Sequence, residues 1–170
     1  MKRLLICIYV CAVSLCVCAS PYNPAQERFI SDVYNYLSSN GYSVSYNSET
    51  GEIKVAINQV TYNISVDETE NSPFHVLINT AFDMKSLPTS EYTRLFAIIN
   101  LTNTKTEYAK VSLVVMDDDR LLDFIVEGLY LDSNNFKMAV PKYLDSIRNC
   151  VSAFFNVFND KSVLQRWERH

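Results

Sequence analysis

The sequence has 170 residues and a formal net charge of −4, with only three glycines. An acidic chain without a basic stretch argues against a nucleic acid as a partner, because phosphate backbones are bound by lysine and arginine. The glycines are far apart, which argues against a glycine-rich loop that holds a phosphate group.

The first residues have the pattern of a secretory signal peptide. Lys2 and Arg3 precede a mostly apolar run from Leu4 to Ala19, and Pro21 follows closely. A basic start, an apolar middle and small residues at the exit are typical of a cleaved leader. A retained membrane anchor is the alternative, but the run is short for the ~20 apolar residues that a spanning helix needs.

We expect cleavage between Ala19 and Ser20. This divides the chain into a signal peptide, residues 1–19, and a single domain, residues 20–170. A domain of this length buries roughly 70% of its unfolded-chain surface on folding. No stable membrane insertion is expected after cleavage, and the sequence predicts a periplasmic or secreted protein.

Four of the five cysteines lie in the leader. No histidine or acidic residue accompanies them, so we interpret them as small apolar residues rather than metal ligands. Lipid attachment at Cys16 or Cys18 is a minor alternative, since neither follows a small residue. Removal of the leader leaves only Cys150, and export without an internal disulfide favours a bacterial envelope over a disulfide-stapled extracellular scaffold.

The first half of the domain predicts one helix followed by an antiparallel meander. Asn23 and Pro24 favour a helix start, and Asn40-Gly41 supplies a left-handed stop, so the helix should run to about Ser39. Apolar residues then alternate with polar ones, as in strands with one buried face. The predicted strands lie at 42–46, 53–57, 60–66 and 73–82, with a tight turn at Asn58-Gln59.

The second half begins with a helix and a hairpin. Tyr92 and Ile99 belong to the apolar stripe of this second helix. Its cap candidates are Ser86, Thr89 and Ser90. In the hairpin that follows, Asp117-Asp118-Asp119 is the predicted turn.

A long amphipathic helix is predicted last. It is expected to begin near Asn134-Asn135 or, if Pro141 lies in the first turn, nearer Val140. A short closing helix is expected to contain Val163, Leu164 and Trp167. We expect Trp167 to pack on the core rather than to serve as an exposed anchor, because burial of a tryptophan favours folding.

The returning strand of the hairpin carries apolar residues on both faces. One face has Leu122, Phe124 and Val126. The other has Leu121, Ile125, Leu129 and Leu131. Because one helix layer covers only one face of a sheet, a second cover is expected: another helix, a crossing strand or a partner subunit.

These elements form an α+β fold in the order helix, three or four strands, helix, two strands, helix. The segments "AQERFISDVYNYLSSNGYSVSYNSETGEIKVAI", "LPTSEYTRLFAIINLTNTKTEYAKVSLVVMDD" and "YLDSIRNCVSAFFNVF" resemble type III secretion chaperones and YbjN-like proteins over about residues 24–158. The resemblance implies a twisted antiparallel sheet flanked by three helices. It also implies a non-catalytic protein-binding module, commonly a homodimer. Secretion chaperones work in the cytosol, whereas this chain is predicted to be exported, and a fold can be shared without its function.

Residues that could support catalysis are few. His75 is predicted within a strand and Cys150 within the last helix, and we interpret both as structural. The carboxylates Asp117, Asp118 and Asp119 lack the ligand spacing of a calcium loop, so we interpret them as solvated turn residues. No cofactor or metal is predicted.

The sequence therefore predicts an exported, non-enzymatic protein-binding module whose partner is an unknown protein, with a homodimer as an option. The partner-binding candidates are Leu122, Phe124, Val126, Phe154 and Phe158. One alternative is a small envelope hydrolase or thiol-dependent enzyme that uses Cys150 and His75, which requires the two side chains to meet in a cleft. Another is a structural envelope protein.

Overall fold

The computed structural model describes residues 22–67, 73–116 and 119–160. It confirms the α+β class and the predicted order, with four strands in the first half. A 3₁₀ turn at Thr89–Glu91 precedes the second helix. The elements are α1 (Pro24–Ser39), β1 (Ser43–Asn47), β2 (Glu52–Ile57), β3 (Val60–Val66), β4 (Phe74–Asp83), α2 (Tyr92–Lys105), β5 (Lys110–Met116), β6 (Asp119–Tyr130) and α3 (Ser133–Asn159).

The six strands form one antiparallel sheet in the order β1-β2-β3-β4-β6-β5. The longest pairing joins β4 to β6, from Phe74 opposite Tyr130 to Asp83 opposite Leu121. β1 and β5 lie at the two edges, so each has one side without a neighbouring strand in the sheet.

Helix α1 begins where its capping residues predict. Asn23 accepts hydrogen bonds from the backbone N–H of Ala25 and Gln26, and the Gln26 side chain accepts one from the backbone of Asn23. This reciprocal capping satisfies donors that the first turn leaves unpaired. Gly41, at a φ of 81°, ends the helix in the left-handed conformation that glycine tolerates best.

The core lies on one face of the sheet, which we call the inner face. Phe29 of α1 packs on Phe74 of β4, and Phe154 of α3 packs on Phe124 of β6, with ring centroids 4.8 Å and 5.6 Å apart. Helix α2 lies beside α3 and along β5. All three described helices therefore lie on the inner side of the sheet or beside it.

The predicted caps of α2 are wrong, and so is the later of the two starts considered for α3. Ser86, Thr89 and Ser90 do not cap α2, which instead follows the 3₁₀ turn without a side-chain cap. Helix α3 begins at Ser133, which confirms the start predicted near Asn134-Asn135 rather than the one near Val140, and Asp132 caps it by accepting from the N–H of Asn135 over 2.9 Å. Its long apolar stripe outweighs the local preference of Pro141, which lies inside the helix.

Among the described helices, none combines the length and the apolar character that crossing a membrane requires. The predicted leader with its cleavage site at Ala19 and Ser20 lies outside the described residues. So does the predicted closing helix.

Candidate protein-interaction site

Most of the predicted partner-binding residues fill the core of the chain itself. Four are buried: Leu122, Phe124, Val126 and Phe154. Phe158 is partly buried and stacks on Phe154 with ring centroids 5.7 Å apart. Only Phe158 among the five thus retains an accessible part of its side chain for a partner.

The opposite face of the sheet, here called the outer face, is mixed in polarity. Leu121 and Ile125 are partly buried there and Leu129 is exposed, so the strand does carry apolar residues on both faces. No described helix or strand lies across this face. Polar residues interrupt it, since Asn79 donates a hydrogen bond to Asp123 over 3.0 Å. The outer face is therefore no continuous apolar surface.

Asp123 is a carboxyl group of the outer face whose ionisation the fold disfavours. Partial burial raises the pKa of Asp123, and the hydrogen bond from Asn79 opposes that shift without cancelling it. Asn63 in turn lies 3.5 Å from Asn79 and extends this polar row across β3, β4 and β6.

The structure separates the two residues of the alternative thiol mechanism. His75 lies on the outer face, with its ring nitrogens 3.8 Å from Asp67 and 3.6 Å from Glu127. Cys150 is buried on the inner side, where its sulfur lies 4.0 Å from the Thr106 hydroxyl. Burial also raises the pKa of Cys150, which disfavours the nucleophilic thiolate. The cleft that would join these two side chains is not formed.

Other candidate chemistry is sparse in the described part of the chain. No three histidine, cysteine, aspartate or glutamate residues cluster there to hold a metal ion. A cleft of about 310 Å³ lies between the α2–β5 loop and α3, but its two lysines are balanced by Glu107 and Asp145. Lys142 already donates to the Tyr108 hydroxyl over 2.7 Å. Asp117 and Asp118 of the predicted turn fall outside the described residues.

The edge of β5 differs from these places because its backbone is protected over only half its length. Asn103 of α2 donates from Nδ2 to the carbonyl oxygen of Val111 and accepts at Oδ1 from the N–H of Val111, over 2.9 Å and 2.8 Å. Ala109, two residues before Val111, is held in a similar way. Its backbone N–H donates to the Ser146 hydroxyl, and its carbonyl oxygen accepts from the Thr106 hydroxyl. Side chains thus replace a neighbouring strand at the start of β5.

The second half of the edge has no such protection. Because backbone groups alternate in direction along a strand, Leu113 and Val115 point their N–H and C=O groups the same way as Val111, away from β6. None of the residues in the described ranges pairs with these outward groups. We call Leu113–Met116 the β5 window.

Exposed apolar side chains accompany the β5 window. Val115 is 59% exposed and Met116 is 54% exposed, and Phe96 of α2 is 49% exposed. Contacts between side chains place α2 near this end of β5. Arg120 of β6 is the register partner of Val115, and its guanidinium lies 5.5 Å from the ring of Tyr92 in α2. The Tyr92 ring in turn packs edge-on against Phe96. Sequence reasoning missed this site because a sequence does not show which strands end at a sheet edge.

Comparisons with known proteins bear on the fold. No protein-family model matches the chain, and no curated protein matches it. The solved structure of YbjN from E. coli, a proposed transcription regulator, aligns with a TM-score of 0.54 at 14% identity, covering 72% of this chain and 87% of that chain. An uncharacterized protein from Methanothermobacter thermautotrophicus aligns with a TM-score of 0.49 at 13% identity, covering 78% of this chain and 94% of that chain. The first likeness shows a YbjN-like fold.

Proposed function

We propose that this chain is an exported, non-catalytic protein-binding module that adds an extended segment of a partner protein to its sheet at the β5 window. One observation carries this proposal: the outward N–H and C=O groups of Leu113 and Val115 have no partner among the described residues, while the equivalent groups of Val111 are satisfied by Asn103. Unpaired edge groups are a template for another strand.

The chemistry of the β5 window defines the partner. Backbone hydrogen bonds supply affinity in strand addition, and side chains next to the edge supply selectivity. Here those side chains are the exposed Val115, Met116 and Phe96. The expected ligand is therefore an extended segment with β-branched or other apolar residues.

Energetics limit what the backbone alone contributes. Two outward residues offer up to four hydrogen bonds, each worth about 0.5–1.5 kcal/mol net. Association costs about 4–15 kcal/mol in lost freedom, so stable binding also needs the apolar contacts. Phe96 and Met116 supply the surface for them.

A second copy of the chain is the second candidate partner. Leu113 and Val115 are placed symmetrically about Val114, so two copies that run antiparallel can pair each Leu113 with the Val115 of the other. That pairing satisfies all outward groups of both windows. The predicted homodimer is proposed on this ground.

Export and the absence of catalysis belong to the same proposal. Support for export comes from the basic and apolar leader, and from Tyr22, which is buried just beyond the predicted cut and so belongs to the folded domain. Support for a non-catalytic role comes from the opposite positions of His75 and Cys150.

The test uses residues 20–170 and a labelled peptide with the β5 sequence KVSLVVM, lengthened by lysines for solubility. We expect the peptide to bind and Val115→Lys to weaken that binding at least tenfold, because a charged side chain at the edge blocks strand addition. Met138→Lys is the matched control, since Met138 is 77% exposed on α3, away from the edge. Sedimentation equilibrium of the same proteins measures self-association. Peptide binding and self-association that both resist Val115→Lys would exclude the β5 window as the site.

A further inference from the structure

We propose that the β5 window takes the C-terminal tail of a partner protein, which lies antiparallel to β5 and ends with its free carboxylate beside Asn103. This inference rests on the proposed function, because it names the kind of segment that the window binds. It follows from the stop that Asn103 makes on the edge, from a spare hydrogen-bond donor at that stop and from a positive charge beside it.

Asn103 closes the edge to a backbone that continues past the β5 window. Its side-chain amide occupies the place where a neighbouring strand would meet Val111, with Oδ1 on the N–H and Nδ2 on the carbonyl oxygen. Bonded and non-bonded positions alternate along an antiparallel pair, so the next bonded position on this edge is Leu113. A ligand strand can therefore pair with Val115 and Leu113, but it has to end or bend away before it reaches Val111.

Asn103 also presents an unused donor to a ligand that ends there. A side-chain amide nitrogen carries two hydrogens, and within the described residues only the carbonyl oxygen of Val111 accepts from Nδ2. In Val111 the carbonyl group lies on the side nearer Leu113, and the N–H lies on the side farther from it. Nδ2 is thus the amide atom nearer the window, and its second N–H is directed along the edge towards Leu113.

An ammonium group lies at the same end of the window. Lys110 donates from Nζ to the backbone carbonyl oxygens of Asn103 and Thr106, over 3.1 Å and 2.8 Å. Asn103 thus contacts both the strand edge and the ammonium group, so little more than the length of one residue separates Nζ from Nδ2. This separation is comparable with the Debye length of about 8 Å at physiological ionic strength, so the charge of Lys110 acts on a ligand group beside Nδ2.

The charge of Lys110 is not offset by its surroundings. No acidic residue in the described ranges forms an ion pair with Lys110. The neighbouring cleft has two acidic residues, Glu107 and Asp145, and two lysines balance them. A carboxylate is therefore the ligand group that fits this place, because it accepts from Nδ2 of Asn103 and is attracted by the ammonium group.

The charge at the stop also sets the direction of the ligand. A ligand antiparallel to β5 places its C-terminus at Asn103, whereas a parallel ligand places its N-terminus there. A terminal ammonium group beside Lys110 is repelled, and a terminal carboxylate is attracted. An internal segment, including the β5 strand of a second copy, has to bend away at this point and gains neither contact.

This direction defines the end of the ligand residue by residue. The last residue lies opposite Leu113, the third from the end lies opposite Val115, and the fourth from the end lies opposite Met116. Residues directly opposite each other share a face of the sheet, so their side chains touch. Because Val115 and Met116 are exposed, apolar side chains are favoured at the third and fourth positions from the C-terminus.

Three forms of one labelled peptide test the proposal on residues 20–170. The peptide is KVSLVVM, with its added lysines at the N-terminus, and it ends in a free carboxylate, in an amide or in a Gly-Ser-Gly extension. We expect the free acid to bind at least tenfold more tightly than the amide, because hydrogen bonds to an ionised group are the stronger ones. The extended peptide should bind no better than the amide, since its chain has to bend away at Asn103.

Variants locate the carboxylate. Lys110→Gln keeps the length of the side chain and removes its charge, so it should reduce the ratio of free-acid to amide affinity at least threefold. Lys54→Gln is the matched control, since Lys54 is an exposed lysine of β2 on the far side of the sheet, and it should leave the ratio unchanged. Asn103→Ala removes the stop and should abolish the discrimination against the extended peptide. Circular dichroism verifies that each variant is folded.

The outcomes separate this proposal from the proposed function. Equal binding of the three peptides by the unaltered protein would overturn the preference for a C-terminus and leave strand addition at the β5 window standing. A preference for the free acid that survives both Lys110→Gln and Asn103→Ala would place the carboxylate elsewhere and also overturn it. Binding of none of the three peptides would count against the proposed function and against this inference with it.

Discussion

The side chain of Asn103 binds both backbone groups of Val111, donating to the carbonyl oxygen over 2.9 Å and accepting from the N–H over 2.8 Å. A neighbouring strand would use the same two groups. One amide side chain thus closes the start of the β5 edge and leaves the edge accessible from Leu113 onwards. The two hydrogen bonds between Asn103 and Val111 therefore set the boundary between protected and accessible backbone on this edge.

Replacement of Asn103 by alanine should lower the free energy of unfolding by about 1–3 kcal/mol, because it leaves two strand groups of Val111 without their partner. It should also lengthen the accessible edge and increase self-association. Denaturant unfolding and sedimentation velocity measure the two effects. Asn100→Ala, at an exposed position of the same helix, is the control and should change neither. An Asn103→Ala variant as stable as the parent would contradict the role of this pair.

Gly51 should tolerate alanine less well than Gly41. Both have positive φ, 65° and 81°, and so share a backbone cost of about 1 kcal/mol. At Gly51 a Cβ would lie 1.9 Å from the Tyr22 ring, whereas at Gly41 nothing lies within 4 Å. Thermal unfolding should therefore show the larger loss for Gly51→Ala. In a Tyr22→Ala background the two substitutions should cost about the same, and a persistent difference would show that Tyr22 is not the cause.

The titration of Asp123 should lower the free energy of unfolding as pH rises. Its folded pKa is raised by burial above the ordinary value of 3.8, so the folded state binds its proton more tightly than the unfolded state does. The stabilisation is therefore full below that value and is lost as pH rises through the folded pKa. Asp123→Asn keeps an acceptor for Asn79 and removes this titration.

The measurement is urea unfolding of both proteins across the acidic range. The variant should gain stability over the parent towards neutral pH, and the two should converge below pH 3.8. Asp145→Asn, at an exposed site on α3, should show no comparable gain. A pH-independent difference between Asp123→Asn and the parent would disprove the assignment.

Cys150 should react slowly with thiol reagents in the folded protein. The side chain is buried and its pKa is raised by desolvation, so little thiolate is present and the reagent has poor access. Alkylation by iodoacetamide at neutral pH should become fast only in urea. Rapid alkylation of the folded chain would contradict this prediction.

Much of the fold could be predicted from local sequence signals. The bounds of α1 follow from the capping box at Asn23 and the stop at Gly41, and the strands follow from alternating apolar residues. Two starts were left open for α3 because Pro141 is a strong local signal for a first turn, and the structure selects the earlier one, since the apolar stripe of the whole helix continues through Pro141. Capping of α2 was missed because tertiary packing beside α3 holds that helix without a side-chain cap.

The candidate site was predicted less well than the fold. Phe124 and Phe154 were proposed as contacts for a partner, and the structure places them against each other in the core. An apolar residue has the same pattern in a sequence whether it meets its own chain or another. The exposed Val115 and Phe96 come from separate elements, and no sequence periodicity connects them.

The sequence by itself determined the type and order of the elements, the face of each strand that is buried and the charge of the chain. These depend on interactions between residues close in sequence. Only the tertiary structure decided that β5 lies at an edge, that Asn103 protects Val111 and that His75 and Cys150 lie on opposite sides of the sheet. Strand order and edge contacts arise from pairings between distant segments, and local preferences of the chain do not specify them.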